Sequence, residues 1–211
     1  GHNDPLRRAR WSESSLKIPI KFVLMEGEFG DAVELHFGSM APGGYAWVFP
    51  KERGANIGLG IQNKFSKGRS LNSLADGFIS NYEGDITFRG AGSLPMSGSI
   101  KQFVKGNHLL VGDSAGMVLP SNGAGITIAM VGGRIAGQTV VSHLDEGTSL
   151  HEYEKEWKRQ MGSVMRNSKL SFKIGSWIMR LPDWVLNLAF NPVTKPFVWR
   201  FVTCRKPFFI F

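Results

Sequence analysis

Residues 111–130 read VGDSAGMVLPSNGAGITIAM, and they decide what kind of fold surrounds them. The preceding His108-Leu109-Leu110-Val111 predicts a short apolar strand, and the residues after Gly125 predict a helix rich in small side chains. A strand ending in Gly112-Asp113, a glycine-rich loop and a helix starting near Gly123-Ala124-Gly125 bring a carboxylate and free backbone N–H groups to one place. A helix N-terminus carries partial positive charge and unsatisfied donors, so it favours an anion or a carbonyl that accepts negative charge. Asp113 can accept hydrogen bonds from sugar-like hydroxyls. Pro120 fixes the loop, and Gly123 and Gly125 let a flat ring approach the backbone with no side chain between. The same spacing also suits an aspartate that only caps the helix, and the residues alone leave both readings open.

The strand-to-helix junction sits in a chain of 211 residues, enough for one large domain or two small ones with a core that needs no staples. A single cysteine, Cys204, excludes an intramolecular disulfide framework and a cysteine-based zinc site, and no metal is expected. The net charge of +8 and pI near 9.8 suit nucleic acid or an anionic membrane surface. Basic residues gather at Arg7, Arg8 and Arg10 and again at Lys155, Lys158, Arg159, Arg166, Lys169 and Lys173. No RNA-binding signature or zinc-finger spacing accompanies them, so nucleic acid is not expected as a partner. No apolar run of about eighteen residues is present, which predicts no spanning helix, and the first residues lack a signal-peptide pattern.

Upstream of the junction the pattern is of strands. Lys17–Glu26 alternates imperfectly, whereas Asp31–Gly38 sets Val33, Leu35 and Phe37 against polar partners, as a half-buried strand should. Gly27-Glu28-Phe29-Gly30 reads as a turn. Gly44–Phe49 and Ala55–Gln62 follow as strands joined through Pro50–Gly54, which predicts an antiparallel sheet of about four strands. From Ser70 the period changes: Leu71, Leu74, Phe78 and Tyr82 share a helical face, with Ser70 as N-cap. Arg89–Ser99, rich in Gly and Ser, reads as a loop. After Gly147 the chain reads as helix, interrupted by glycine and restarting after Pro182.

A second informative stretch is Pro42-Gly-Gly-Tyr-Ala-Trp-Val-Phe-Pro50, continuing to Gly58-Leu59-Gly60. Tyr45, Trp47 and Phe49 fall on one face of a strand and offer a wide aromatic wall. Such a wall can be the core of a small sheet or the lining of an apolar cavity.

The residues VGDSAGMVLPSNGAGITIAMVGGRIAG resemble the second flavin-binding motif of FAD-dependent oxidoreductases, and especially of the geranylgeranyl reductase family. The Tyr45–Pro50 segment closed by Gly58 and Gly60 resembles the Tyr-x-Trp-x-Phe-Pro and Gly-x-Gly elements of the same family, and the likeness runs from about residue 17 to 150. It implies that Gly112, Asp113, Pro120, Gly123, Ala124, Gly125 and Ile126 bind FAD, Asp113 at the ribityl chain and the helix N-terminus at the pyrimidine end of the ring. It implies in turn that Tyr45, Trp47, Phe49, Pro50, Gly58 and Gly60 line the cavity for an isoprenoid chain. Residues 1–11 resemble a degenerate Gly-x-Asp-Gly-x-x-Ser motif and receive no role.

No Gly-x-Gly-x-x-Gly opens a strand–helix unit near the start, so the chain resembles the C-terminal part of a flavoprotein without the pyrophosphate-binding segment. The expected architecture is α+β: an entry segment at 1–16, an antiparallel lipid domain at 17–104, the returning part of an FAD domain at 105–147 and a helical region at 148–211. Residues 191–211 mix aromatics with Lys195, Arg200, Arg205 and Lys206, which suits lipid at an interface or burial against another domain. The resemblance implies reduction of carbon–carbon double bonds in geranylgeranyl chains for membrane lipid synthesis. The expected reductant is a nicotinamide or a ferredoxin, and the expected location is cytoplasmic with a peripheral membrane contact. No catalytic residue is singled out: His36 and His108 are lone histidines in strand contexts. The rival readings are a related flavoprotein hydroxylase, halogenase or electron-transfer dehydrogenase, and a non-catalytic lipid- or partner-binding fragment.

Overall fold

A computed structural model describes residues 16–189 together with Trp11, Thr194 and Pro196. It is α+β, as expected, and divides into two compact units, one built on Ile18–Ser93 with the segment from Gly175, the other on Leu94–Ile174.

In the first unit β1 (Lys17–Glu26), β2 (Glu34–His36), β3 (Tyr45–Lys51), β4 (Gly54–Gly60) and β5 (Asp85–Pro95) form one sheet in the order β2-β3-β4-β1-β5. β3 and β4 pair antiparallel through a two-residue connection, Glu52-Arg53, and β4 pairs antiparallel with β1. Period-two alternation divides the sheet into two chemically different faces. Ala46 and Val48 of β3, Ile57 and Leu59 of β4, and Val23 and Met25 of β1 build the core with Ala75, Phe78 and Ile79 of α1 (Leu71–Ile79). As the sequence predicts, α1 is capped by Ser70, whose Oγ accepts the Ser73 N–H at 3.1 Å.

Three expectations for this unit are corrected. The sheet has five strands rather than four, because Arg89–Ser99 is no loop: β5 runs on to Pro95. Its glycines mimic a loop signal, yet at Gly90 a Cβ would collide with the Phe22 ring, so glycine there serves close packing on an extended strand. The Asp31–Gly38 strand shrinks to the three residues of β2, and its apolar set does not face the core. Val33 is 66% exposed, Leu35 sits opposite Trp47, and it is His36 that packs inward, edge-on to Phe78 at 5.3 Å.

In the second unit β6 (Val104–Lys105) and β7 (His108–Leu109) make a small hairpin, followed by α2 (Ile126–Glu146) and α3 (Glu152–Ile178). Phe103, Met117, Ile135, Tyr153, Trp157 and Met165 are central to its core. The Glu154 carboxylate receives the N–H groups of Phe103 at 2.6 Å and Val104 at 3.0 Å. Burial alone would raise its pKa, but these bonds and one from His151 outweigh it and hold the group below the ordinary carboxylate range. The expected interruption of the last long helix by glycine is absent: α3 is continuous through Gly162 and Gly175. A helical glycine costs about 1 kcal/mol, less than α3 gains by burying Tyr153, Trp157 and Met165. After Pro182 the helix restarts as predicted, as α4 (Asp183–Ala189).

Among the described residues no helix is long and apolar enough to cross a membrane. The interfacial segment expected at 191–211 and almost all of the degenerate motif at 1–11 lie outside the described residues.

Candidate functional site

The residues expected to bind cofactor share one loop of the second unit. Val111 is extended, Gly112 turns the chain at φ +63°, and Gly112–Ala115 form a single 3-10 turn closed by Gly116 at φ +65°. Both glycines adopt the left-handed region that an L side chain resists. The Gly116 N–H donates to the Asp113 carbonyl at 3.0 Å, and the Met117 N–H to the Gly112 carbonyl at 2.9 Å. The Leu119 N–H then donates to the Ala124 carbonyl, and the Gly123 N–H to the Leu119 carbonyl, which folds residues 119–124 back on themselves. The Asn122 side chain takes the Ala124 N–H at 3.0 Å, and the Ser121 N–H donates to Ser168 Oγ on α3 at 3.0 Å.

These bonds carry Asp113 to the start of α2. Asp113 Oδ1 lies 3.7 Å from where a Cβ on Gly125 would stand. Gly125 occupies the N-cap position, and no side chain caps the helix. Asp113 is therefore not a helix cap: its carboxylate makes no hydrogen bond or ion pair with the described residues. The Asp113 carboxylate is half-buried and left to accept, beside N–H groups of the first turn of α2 that are left to donate. Of the other expected residues, Ile126 is 82% exposed, Ala124 is half-buried, and the Pro120 ring is fully buried. Tyr153, which the sequence reading missed, donates from its hydroxyl to the Leu110 carbonyl at 3.0 Å and so fixes the strand leading into Asp113. Burial pushes its phenol far above the ordinary range, keeping it a donor.

The residues expected to bind substrate lie in the sheet unit, on the face turned away from α1. Tyr45, Trp47 and Phe49 form a row, with ring centroids 5.8 Å and 5.9 Å apart, extended by Phe37 at 6.1 Å from Tyr45. None belongs to the core, which the alternate residues Ala46 and Val48 build; Tyr45 and Trp47 are half-buried and Phe49 is exposed. Gly60 stands opposite Tyr45 and Gly58 opposite Trp47, so the middle strand offers a floor without side chains. The Trp47 indole reaches over that floor, its Nε1–H donating to Asn56 Oδ1 at 2.7 Å. Phe22 pairs with Gly58 and Ile20 with Gly60 from β1, forming the opposite bank.

Pro50 is not brought to this face. Alternation turns it to the other side, where it borders a cleft with Gly27, Phe29 and Asp31. Asn56, Phe22 and Ile20 went unnoticed in the sequence; the alternation of Ile20, Phe22 and Leu24 against Val23 and Met25 was the available signal.

With this geometry in view, comparison with known proteins is specific. The model of the geranylgeranyl reductase catalytic domain matches residues 17–91, which contain all of β1–β4, α1 and most of β5. Digeranylgeranylglycerophospholipid reductase 2 of Methanothermobacter thermautotrophicus is 35% identical over 144 residues, 65% of this chain and 37% of that protein. The digeranylgeranylglycerophospholipid reductase of Methanothrix thermoacetophila is 33% identical over 188 residues, 84% of this chain and 47% of its own length. The chain thus spans less than half the length of these relatives. Among solved structures, a geranylgeranyl bacteriochlorophyll reductase-like protein of Thermoplasma acidophilum superposes with a TM-score of 0.75 at 25% identity, over 90% of this chain and 51% of that one. A flavin-dependent brominase shares the fold at a TM-score of 0.57 and 13% identity, covering 91% of this chain and 51% of its own. A sheet whose aromatic face lies outside the core, matched along its length by one catalytic-domain family, places the chain: it belongs to the geranylgeranyl reductase family.

Proposed function

We propose that these residues are the lipid-holding part of an FAD-dependent oxidoreductase that saturates carbon–carbon double bonds of geranylgeranyl chains in membrane lipid synthesis. The observation that carries the reading is the aromatic row itself. Three large rings are left half-buried or exposed while small neighbours build the core, an arrangement that costs stability unless an apolar ligand uses it. Relatives named as digeranylgeranylglycerophospholipid reductases support the substrate class.

The residues of the loop fit part of FAD. Asp113 has an unpaired carboxylate for ribityl hydroxyls, the uncapped α2 N-terminus has donors for the pyrimidine carbonyls, and Gly125 leaves room for a flat ring. The pyrophosphate would be held by polypeptide outside these residues. When bound and reduced, FAD supplies the hydride for alkene reduction. The chain's own share is to hold and orient the polyprenyl chain: Trp47, fixed by Asn56, with Tyr45 and Phe49 on one bank and Ile20 and Phe22 on the other. These side chains also displace water from the alkene.

The test uses the full-length enzyme with chemical reductant and a digeranylgeranyl phospholipid, reading product mass, which rises by two hydrogens per bond reduced. Trp47→Ala removes a half-buried indole worth about 2 kcal/mol of apolar contact, so kcat/KM falls roughly thirtyfold. No mass gain by the wild type, or an unchanged kcat/KM in the variant, overturns the reading.

A further inference from the structure

The exposed cations of α3 are not scattered. Lys155, Lys158, Arg166, Lys169 and Lys173 follow one another at three- and four-residue steps, with Gly162 filling the one gap, so they share a single face. Lys101, from the segment beside the helix, joins them across a groove of about 440 Å³ whose floor is Ile100, Phe103, Trp157 and Met165. The groove has one carboxylate, Glu154, and it is committed to the N–H groups of Phe103 and Val104 and to His151. Lys155 pairs with Glu152 at 2.6 Å; Lys101, Lys158, Arg166, Lys169 and Lys173 have no acidic partner among the described residues.

We propose that this groove is a docking surface for the anionic headgroups of a phospholipid bilayer, the cations taking lipid phosphates. The stripe from Lys155 to Lys173 is about 27 Å long at 1.5 Å per residue, which suits an extended charged surface and exceeds what a lone phosphate needs. Nucleic acid is disfavoured, because base stacking needs open rings and here Phe103 and Trp157 are buried against each other at 6.1 Å. The inference rests on the reading of the protein as a lipid-modifying enzyme, but its test does not depend on turnover.

The test is cosedimentation of the 211-residue chain with vesicles of phosphatidylcholine, alone or mixed with phosphatidylglycerol. Binding is expected to the anionic vesicles only and to fall as salt is raised. Each cation near the surface contributes about fivefold, so the combined Lys158→Gln, Arg166→Gln and Lys169→Gln variant loses about a hundredfold. The equal-charge control Lys51→Gln, Arg53→Gln and Arg89→Gln, on exposed positions of the sheet unit, keeps its affinity within a few fold. Should the groove variant melt early, the single changes Lys101→Glu and Lys173→Glu carry the same comparison. Equal losses in groove and control variants, equal binding to neutral vesicles, or tighter binding to duplex DNA or to glycerol phosphate than to vesicles overturns the proposal.

Discussion

In the full-length enzyme Gly125→Leu weakens FAD binding by more than a hundredfold, and Asp113→Ala by about two- to a hundredfold. Yet neither change lowers the melting temperature of the 211-residue chain by more than a few degrees. The fold tolerates a side chain at 125: a Cβ there meets Val118 Cγ2 at an ordinary 3.4 Å and Asp113 Oδ1 at 3.7 Å. An isobutyl group in that space stands between a planar ligand and the N–H donors of the first turn of α2, so several contacts are lost together and no water restores them. The loss at Asp113 is smaller because it concerns hydrogen bonds to one acceptor, worth roughly 0.5–3 kcal/mol, while the uncapped helix start remains. Titrating FAD into both variants and recording apo melting curves separates ligand contact from structural support. Unchanged dissociation constants for both would make the loop a structural turn.

Gly58→Val has the opposite signature, unfolding the sheet unit without touching the Asp113 loop. A Cβ at 58 would lie 2.5 Å from Phe22 Cβ, 2.6 Å from the Lys21 carbonyl and 2.7 Å from Trp47 Cζ2. Trp47 can swing aside by giving up its bond to Asn56, but the other two atoms belong to the paired β1 backbone and its first side-chain carbon and cannot move without breaking the register Phe22↔Gly58. Overpacking against such atoms costs about 3 kcal/mol or more, a fall in melting temperature beyond about 10 °C for a unit of this size. Gly77→Ala provides the contrast: inside α1, with nothing within 4 Å, it stabilises by up to about 0.5–1 kcal/mol. Urea midpoints that rank these two variants equally would show the glycine floor to be dispensable.

How far the sequence carried the fold depended on which interactions set each element. Ser70 and the Leu71, Leu74, Phe78 spacing fixed α1 because a cap and a helical stripe are local signals. The second half of β5 was illegible because Gly90 answers to Phe22, some seventy residues away in sequence, and a glycine required by tertiary contact looks the same as one required by a turn. In β2 the alternation was read correctly but assigned to the wrong side, since period two cannot say which face of an edge strand meets the core. For the site, Asp113 and the α2 start were legible as a pair; the missing cap and the turning of Pro50 away from Phe49 depend on tertiary contacts that no local pattern records.

The two-residue link at Glu52-Arg53 also orders events in time. β3 and β4 meet across the shortest connection in the sheet, so little chain entropy is lost in bringing Val48 to Ile57, and hairpins of this kind close within about 1–10 μs. β1 reaches the same strand only by closing a loop from Val23 to Ile57, and its pairing waits on the hairpin that offers it an edge. The strand that carries the aromatic row is thus among the first parts of the unit to be placed. In pulse-labelled hydrogen exchange the amides of β3 and β4 should gain protection before those of β1, and the reverse order would move the nucleus elsewhere.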